Sequence, residues 1–351
     1  MKIWNLLSNL LNKVIILINR IMFTHIPKDS FYVLIEKYKK IQAEFLKKYN
    51  VDDIFSNSKI YEIIIANALN HILIPGHSGS KDAKDEFGNI FEYKHYKETS
   101  KNHTWTFNDF SDQTIDDLKL TKSVIFAHIE DKNGPIMFDW YYEISGKAVS
   151  EYLKNATIAI KNTRKMINVS SSQIGVAFKA EKKYVKKNTN GRYDEWLVPI
   201  MDVSNEIESL TKTKGILTSN KIWEVLIATE LDHMVNSEQG GREGAHDACD
   251  KNGLLYEYKI SKTSSWNFQD ISENVLNKYL LDTKIILAVV DKTNIKVTAV
   301  FSADPIRVVA LLKTKLENKK QKFALKGKEL RRLQVSLSKG DLVKISAKKI
   351  I

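Results

Sequence analysis

Two stretches of the chain carry the same chemistry-bearing residues at the same spacing: DAKDEFGNIFEYK from Asp82 to Lys94, and DACDKNGLLYEYK from Asp247 to Lys259. Repeated apolar residues would be core packing, but Asp, Glu and Lys are costly to bury unpaired. A turn at Gly88 separates two extended arms, so Asp82 and Glu92 can meet across a hairpin. Side chains alternate along the second arm, which puts Glu92 and Lys94 on one face and Tyr93 on the other. Gly253 does the same for Asp247, Glu257 and Lys259. Two converging carboxylates are hard oxygen ligands suited to Mg2+, which keeps several waters and bridges to phosphate. A Lys beside them can orient or deprotonate the attacking water and offset charge on the pentavalent phosphate. The expectation is metal-dependent phosphodiester hydrolysis at two centres. Asp82, Glu92, Asp247 and Glu257 would hold two or more Mg2+ per chain, and Lys94 and Lys259 would complete the catalytic sets. The alternative is a pair of surface hairpins whose Glu and Lys form exposed ion pairs, which contribute little. Recurrence at identical spacing in two equivalent places weighs against it.

The elements that must position these residues also repeat. SKIYEIIIANALNHIL (58–73) matches NKIWEVLIATELDHMV (220–235) without a gap. Tyr61, Ile65, Leu69 and Ile72 form one apolar stripe, and Trp223, Ile227, Leu231 and Met234 repeat it, so both segments are expected to be helices throughout. A Gly-containing loop follows, PGHSGSK against QGGREGAH, then the charged hairpin, then TWTFNDFS (104–111) against SWNFQDIS (265–272). SVIFAHI at Ser123 and KIILAVV at Lys284 are short, apolar and β-branched, which predicts buried strands. MINVSSS at Met166 and RLQVSLS at Arg332 predict a closing strand in each copy. The order helix, loop, hairpin, strand, helix, strand describes an α/β unit with a mixed sheet. Seen twice, it is a duplicated domain and not a solenoid. The expected division is an N-terminal amphipathic helical region 1–50, a first domain 51–180, a Lys-rich connection 181–214 and a second domain 215–351, with the polar stretch 179–196 read as a connection or an exposed hairpin.

At 351 residues there is room for two domains, and a hydrophobic content of 43% fits folded cores. A net charge of +12 points to a polyanionic partner such as nucleic acid or an anionic membrane surface, with a Lys-rich genome composition as the alternative source of the charge. The single cysteine, Cys249, excludes an intrachain disulfide and a Cys-rich zinc site and suits a reducing, cytoplasmic setting. It also has no counterpart in the first copy, where Lys84 stands. Leu7, Leu10, Leu11, Val14, Ile18 and Ile21 sit at helical spacing. They predict an amphipathic helix that packs on the domain or a partner, with membrane binding as the alternative; Met22 is a second candidate start. The longest apolar run there, Val14 to Ile18, is far short of the ~20 residues a span needs, so no membrane partner is expected.

The pattern Asp-(x9)-Glu-x-Lys resembles the PD-(D/E)xK nuclease core. The wider stretches YNVDDIFSNSKIYEIIIANAL, ILIPGHSGSKDAKDEFGNIFEYK and GREGAHDACDKNGLLYEYK resemble PvuII-type type II restriction endonucleases, over about the first half of each copy. The resemblance implies two copies of a restriction-endonuclease-like α/β core, a mixed β-sheet flanked by helices. It implies Mg2+ as cofactor and double-stranded DNA as substrate. Asp82, Glu92 and Lys94, with Asp247, Glu257 and Lys259, would be the metal-binding and catalytic groups. Both copies depart from the family by placing two residues between the loop Gly and the motif Asp. Ser78 stands where Glu243 stands in the second copy, so an accessory acidic role for Glu243 would make the centres unequal. The family's run of recognition histidines is absent, so specificity is not inherited.

Thr106 and Asn108, and Asn267 and Gln269, alternate onto one face of their strands. Asn and Gln read adenine in the major groove, so these four are DNA-reading candidates or polar residues of an ordinary exposed face. Glu62 and Glu224 are accessory candidates beside the metal sites or solvated helix charges; His71 and His233 are expected to be structural. The expected function is a type II restriction endonuclease in which each repeat cuts one strand at a specific sequence. It would act as a functional monomer of two half-site domains, with a cognate DNA methyltransferase as its genetic partner. The alternatives are a structure-directed repair or recombination nuclease and a DNA-binding protein with decayed centres. No G-x-x-x-x-G-K-[ST] loop is present, which argues against a motor-coupled enzyme.

Overall fold

The residues flanking each motif already dictate how the chain must turn there. The structure is a computed structural model that describes residues 23–51, 53–55, 59–75, 81–108, 111–132, 136–158, 160, 166–186, 194–236, 246–327, 330 and 333–351. The segment read as an amphipathic helix, the loop containing Ser78, and Glu243 lie outside these residues.

The described residues begin with β1 (Phe23–Thr24) and the long helix α1 (Lys28–Tyr49). The first copy then runs α2 (Lys59–Ala68), β2 (Ile72–Leu73), β3 (Ala83–Lys84), β4 (Ile90–Lys97) and β5 (Thr104–Asn108). It continues with α3 (Asp112–Leu118), β6 (Ser123–Glu130), β7 (Met137–Ser145), α4 (Gly146–Ile158), β8 (Met166–Ser170), α5 (Ser171–Phe178) and β9 (Lys183–Tyr184). Helix α6 (Asp194–Thr211) leads to the second copy: α7 (Lys221–Leu231), β10 (Met234–Asn236), β11 (Ala248–Cys249), β12 (Leu255–Ser261) and β13 (Ser265–Phe268). Then come α8 (Glu273–Tyr279), β14 (Lys284–Asp291), β15 (Lys296–Ala303), α9 (Pro305–Ala324), β16 (Val335–Ser338), α10 (Asp341–Lys344) and β17 (Lys348–Lys349). The protein is thus a mixed α/β structure.

The chain divides into two compact units, Ile41–Met201 and the residues up to Lys40 together with Asp202–Ile351. These boundaries fall inside α1 and α6, whereas the sequence placed them at 50, 180 and 214. Within the second unit β1 pairs antiparallel with β10, Phe23 opposite Asn236, and Tyr38 hydrogen-bonds Ser204. β1 and the first part of α1 therefore belong to the second unit's sheet and core. In the first unit the sheet order is β2-β3-β4-β6-β7-β9, and in the second β1-β10-β11-β12-β14-β15-β17. One neighbour pair in each is parallel, β4 with β6 and β12 with β14; the others are antiparallel. Two-stranded ribbons, β5–β8 and β13–β16, complete the units. Their inner residues, Trp105, Phe107 and Val169, and Trp266, Phe268 and Leu337, enter the main cores. Trp105 Nε1 donates to the Ala127 carbonyl at 2.7 Å, and Trp266 Nε1 to Ala288 at 2.9 Å. These bonds seat each ribbon on its central strand.

The matched helices are shorter than their apolar stripes predict. Asn70 and Asp232 adopt left-handed φ of 57° and 56° and end α2 and α7, and the next amides, His71 and His233, bond back to Ala66 and Ala228 at 2.8 Å. A short polar residue tolerates that conformation and stops a helix. Ile72 and Met234 consequently sit in strands and not on the helical stripe. The Lys-rich connection is also more than a link, because Lys183 and Tyr184 pair with Tyr141 and Trp140 to form the sheet's sixth strand.

Candidate active centres

Each centre is built by the hairpin that the sequence places after the helix. Gly88 and Gly253 take φ of 81° and 79°, the region that needs glycine. The second Asp of each motif makes the turn: Asp85 Oδ1 accepts the amides of Phe87 at 3.0 Å and Asn89 at 2.9 Å, and Asp250 Oδ1 accepts those of Asn252 and Leu254, both at 2.9 Å. The first Asp instead faces the site. Asp82 Oδ2 accepts the Tyr93 amide across the hairpin at 2.6 Å, and Asp247 Oδ2 accepts the Tyr258 amide at 2.7 Å.

Alternation along β4 and β12 then sorts the remaining groups. Glu92 is 5% exposed and Glu257 8%, and each pairs through Oε1 with the Lys two residues on, Lys94 or Lys259. Tyr93 and Tyr258 point the other way, where their hydroxyls meet His71 Nδ1 and His233 Nδ1 at 2.8 Å. Burial holds both imidazoles below the usual histidine range, so the matched histidines are neutral structural partners of the motif tyrosines. The predicted pairs Asp82/Glu92 and Asp247/Glu257 are brought together, each with its Lys. The exposed-ion-pair alternative does not describe them, because the carboxylates are buried.

The accessory candidates Glu62 and Glu224 belong to the same clusters. Burial, then repulsion from Asp82, pushes Glu62 up to about 7. Burial, then Asp82 and Glu62, pushes Glu92 up to about 7 against the pull of Lys94. Burial likewise raises Asp82, and it raises Asp247 well above the usual range, with Glu257 and Glu224 adding to the shift. Glu224 is raised by burial and by Glu257. Burial works against charge on Lys94 and Lys259, but Glu92 and Glu257 outweigh it and hold both above the ordinary lysine value. Sequence reasoning missed Lys59 and Lys221, mostly buried lysines in the first turns of α2 and α7, paired with Glu62 and Glu224. The signal was present as SKIYE against NKIWE, a Lys three residues before a Glu on one helix face.

The two centres differ around this shared set. Lys94 lies over Phe107 at 5.3 Å beside a cavity of about 60 Å³ lined by Glu92, Asn108, Thr114 and Leu118. Lys259 lies over Phe268 at 5.7 Å and also Tyr279 at 5.2 Å, where the first copy has Leu118. His246, at a φ of 82°, bonds through Nδ1 to buried Asp282 at 2.7 Å, where the first copy has Lys81 and Thr121. Cys249 is buried in β11, and burial, then Asp250, pushes its thiol up to about 12, so it has no nucleophilic role.

Of the reading candidates, Asn108, Asn267 and Gln269 are exposed, Gln269 just past the end of β13. Thr106 is half-buried and its hydroxyl donates to Asn168 Oδ1 on the facing strand at 2.8 Å. Asn108 lines the cavity at Glu92 and Lys94.

Among the described residues no group of three or more His, Cys, Asp and Glu is arranged to hold a metal ion. The pair Asp82 and Glu92 fits Mg2+, which takes one or two carboxylates and keeps water in its other positions. Glu92 Oε2 is buried without a hydrogen-bond partner, a demand that a cation or its water would meet. No helix of the described residues is long and apolar enough to cross a membrane. No protein-family model matches the chain, and no curated protein sequence matches it.

Proposed function

We propose that the chain is a Mg2+-dependent, site-specific endodeoxyribonuclease: a PvuII-type type II restriction endonuclease with two restriction-endonuclease-like cores in tandem. The observation that carries this reading is the repeated Asp–Glu–Lys set, its glutamates buried and its Asp and Lys half-buried, on a hairpin next to a polar ribbon. Asp82 with Glu92, and Asp247 with Glu257, would hold Mg2+, which supplies a Lewis acid for the scissile phosphate and a water of lowered pKa. Asp82 and Asp247 are fixed for this by the amides of Tyr93 and Tyr258. Lys94 and Lys259, held as ammoniums by their glutamates, suit orienting water and offsetting phosphate charge better than deprotonation. The stacked rings of Phe107 and Phe268 limit where each ammonium can move. The outward residues of the ribbons would meet base edges. In this reading the substrate is double-stranded DNA, one chain acts as a functional monomer in the cytoplasm, and a DNA methyltransferase protects the host's own sites.

The test is plasmid and phage DNA incubated with the protein in Mg2+ and, separately, in EDTA. Discrete bands in Mg2+ alone are expected, and Lys94→Ala with Lys259→Ala should abolish them while leaving duplex binding measurable. A smear would assign a structure-directed or non-specific nuclease. A mobility shift without cutting would assign a binding protein, and cutting in EDTA would remove the metal mechanism.

A further inference from the structure

Helix α9 runs two turns past the core that supports it. Up to Leu316 it buries Val308, Val309, Leu312 and Leu316. From Glu317 to Ala324 none of its residues is buried. The corresponding helix of the first unit, α4, has 13 residues against 20 in α9. A helical segment without an apolar face gains nothing from core packing, so the extension needs another reason to persist.

Its charge supplies one. Lys315, Lys319, Lys322 and Lys326 are spaced i, i+4, i+7 and i+11, one stripe on the helix and the turn that follows it. Two of them show where the stripe points. Lys315 Nζ donates to the Ser336 carbonyl at 2.9 Å and pairs with Asp341; Lys319 Nζ donates to the Gln334 carbonyl at 2.8 Å. The stripe is therefore tied to β16. On the ribbon, exposed Ser336 is paired with exposed Asn267. An uncharged hydrogen-bonding face flanked by ammoniums matches duplex DNA, where phosphate contacts set register beside groups that reach base edges. A membrane-seeking helix needs a broad apolar face opposite its lysines, and this extension offers only Phe323, Ala324 and Leu325.

We propose that the α9 extension is a phosphate-binding arm of the second unit, with Lys319, Lys322 and Lys326 contacting the backbone of duplex DNA next to the β13–β16 ribbon. The proposal rests on the nuclease reading above and adds a contact surface to it. Lys322 and Lys326 are exposed, so Lys322→Gln with Lys326→Gln should leave the fold unchanged by circular dichroism. Duplex binding is measured for the full chain over a range of salt, in Ca2+ so that DNA stays intact. Each phosphate contact contributes about 0.9 to the slope of log K against log salt, so the double variant should flatten that slope by about 2. Its affinity should fall alike for every duplex sequence. The control Lys39→Gln with Lys40→Gln should leave the slope unchanged. An unchanged slope in the double variant, or equal flattening in the control, overturns the arm while leaving the nuclease reading intact. Failure of the native chain to bind any duplex at low salt removes both. Sedimentation with phosphatidylserine vesicles that is lost in the double variant, with duplex binding unaffected, would assign the stripe to an anionic membrane and overturn the proposal.

Discussion

Glu62, Asp82 and Glu92 crowd three carboxylates into one buried place, with Lys59 and Lys94 as their counter-charges. Such a cluster is held against its own repulsion, so removing a cation and removing an anion should act in opposite directions. Lys59→Ala leaves Glu62 buried beside Asp82 without its partner, which should cost roughly 2–3 kcal/mol at pH 8. At pH 5 the cost should shrink: Glu62 is raised to about 7, so it is protonated there and asks for no counter-charge. Glu62→Gln removes repulsion at nearly constant volume and should be neutral or stabilising at pH 8. Lys59→Ala with Glu62→Gln should recover most of the loss. Urea denaturation of the four proteins closes the cycle, and a loss for Lys59→Ala that is equal at both pH values would show that its packing, not its charge, is what matters. The Asp, Glu and Lys of the motif were legible because alternation puts Glu and Lys on one strand face and the Gly turn returns the Asp to them across the hairpin. Lys59 and Lys221 were not singled out, because a Lys in a first helical turn has the same sequence appearance whether it is solvated or buried against a carboxylate.

At the scale of elements, sequence patterning foretold strands better than ends and edges. The apolar runs at Ser123 and Lys284 became β6 and β14, interior strands of their sheets, β6 almost wholly buried and β14 buried from Ile285 to Ala288 and at Val290. The left-handed stops at Asn70 and Asp232 were hidden inside helical stripes, because a left-handed residue interrupts the backbone without interrupting the apolar spacing. β1 and β9 were not foreseen, since two-residue strands exist only through partners distant in sequence. The matched strands also carry private chemistry. On β6, buried His128 bonds Asp139 Oδ1 at 2.6 Å and Glu98 Oε2 at 3.1 Å and stacks on Trp140 at 4.8 Å; Val289 takes its place on β14. Burial opposes charge on His128, but Asp139 and then Glu98 outweigh it and raise the imidazolium above its usual range. The folded state thus binds the proton more tightly than the unfolded chain, whose histidines titrate near about 6.5. The stabilisation is complete below that pH and is lost as pH rises through the higher folded value. The melting temperature of the first unit should fall over that window, and His128→Gln should flatten the fall. An identical pH slope in the variant would move the effect to other groups.

At the scale of the whole molecule, the decisive feature is that two centres are written by separate codons. A symmetric dimer loses both centres to one mutation, whereas here each can be disabled alone. Glu92→Ala removes a carboxylate from the first centre and leaves Asp247, Glu257 and Lys259 untouched in the second unit, and Glu257→Ala does the converse. If each centre serves one strand, either variant becomes a nickase, with cutting of its own strand reduced by at least about 100-fold. The centres are not chemical copies: Tyr279 and the His246–Asp282 pair stand in the second where Leu118, Lys81 and Thr121 stand in the first. The two nicking rates should therefore differ, and the ribbon faces, Thr106 and Asn108 against Asn267 and Gln269, should make the nicks assignable to particular strands of an asymmetric site. Supercoiled plasmid is expected to pass to open circle and stop there with either single variant, and to remain supercoiled with both substitutions together. Efficient linearisation by a single variant would mean that two chains assemble four centres on the DNA, and the tandem-monomer reading would give way to a dimer of tandem chains.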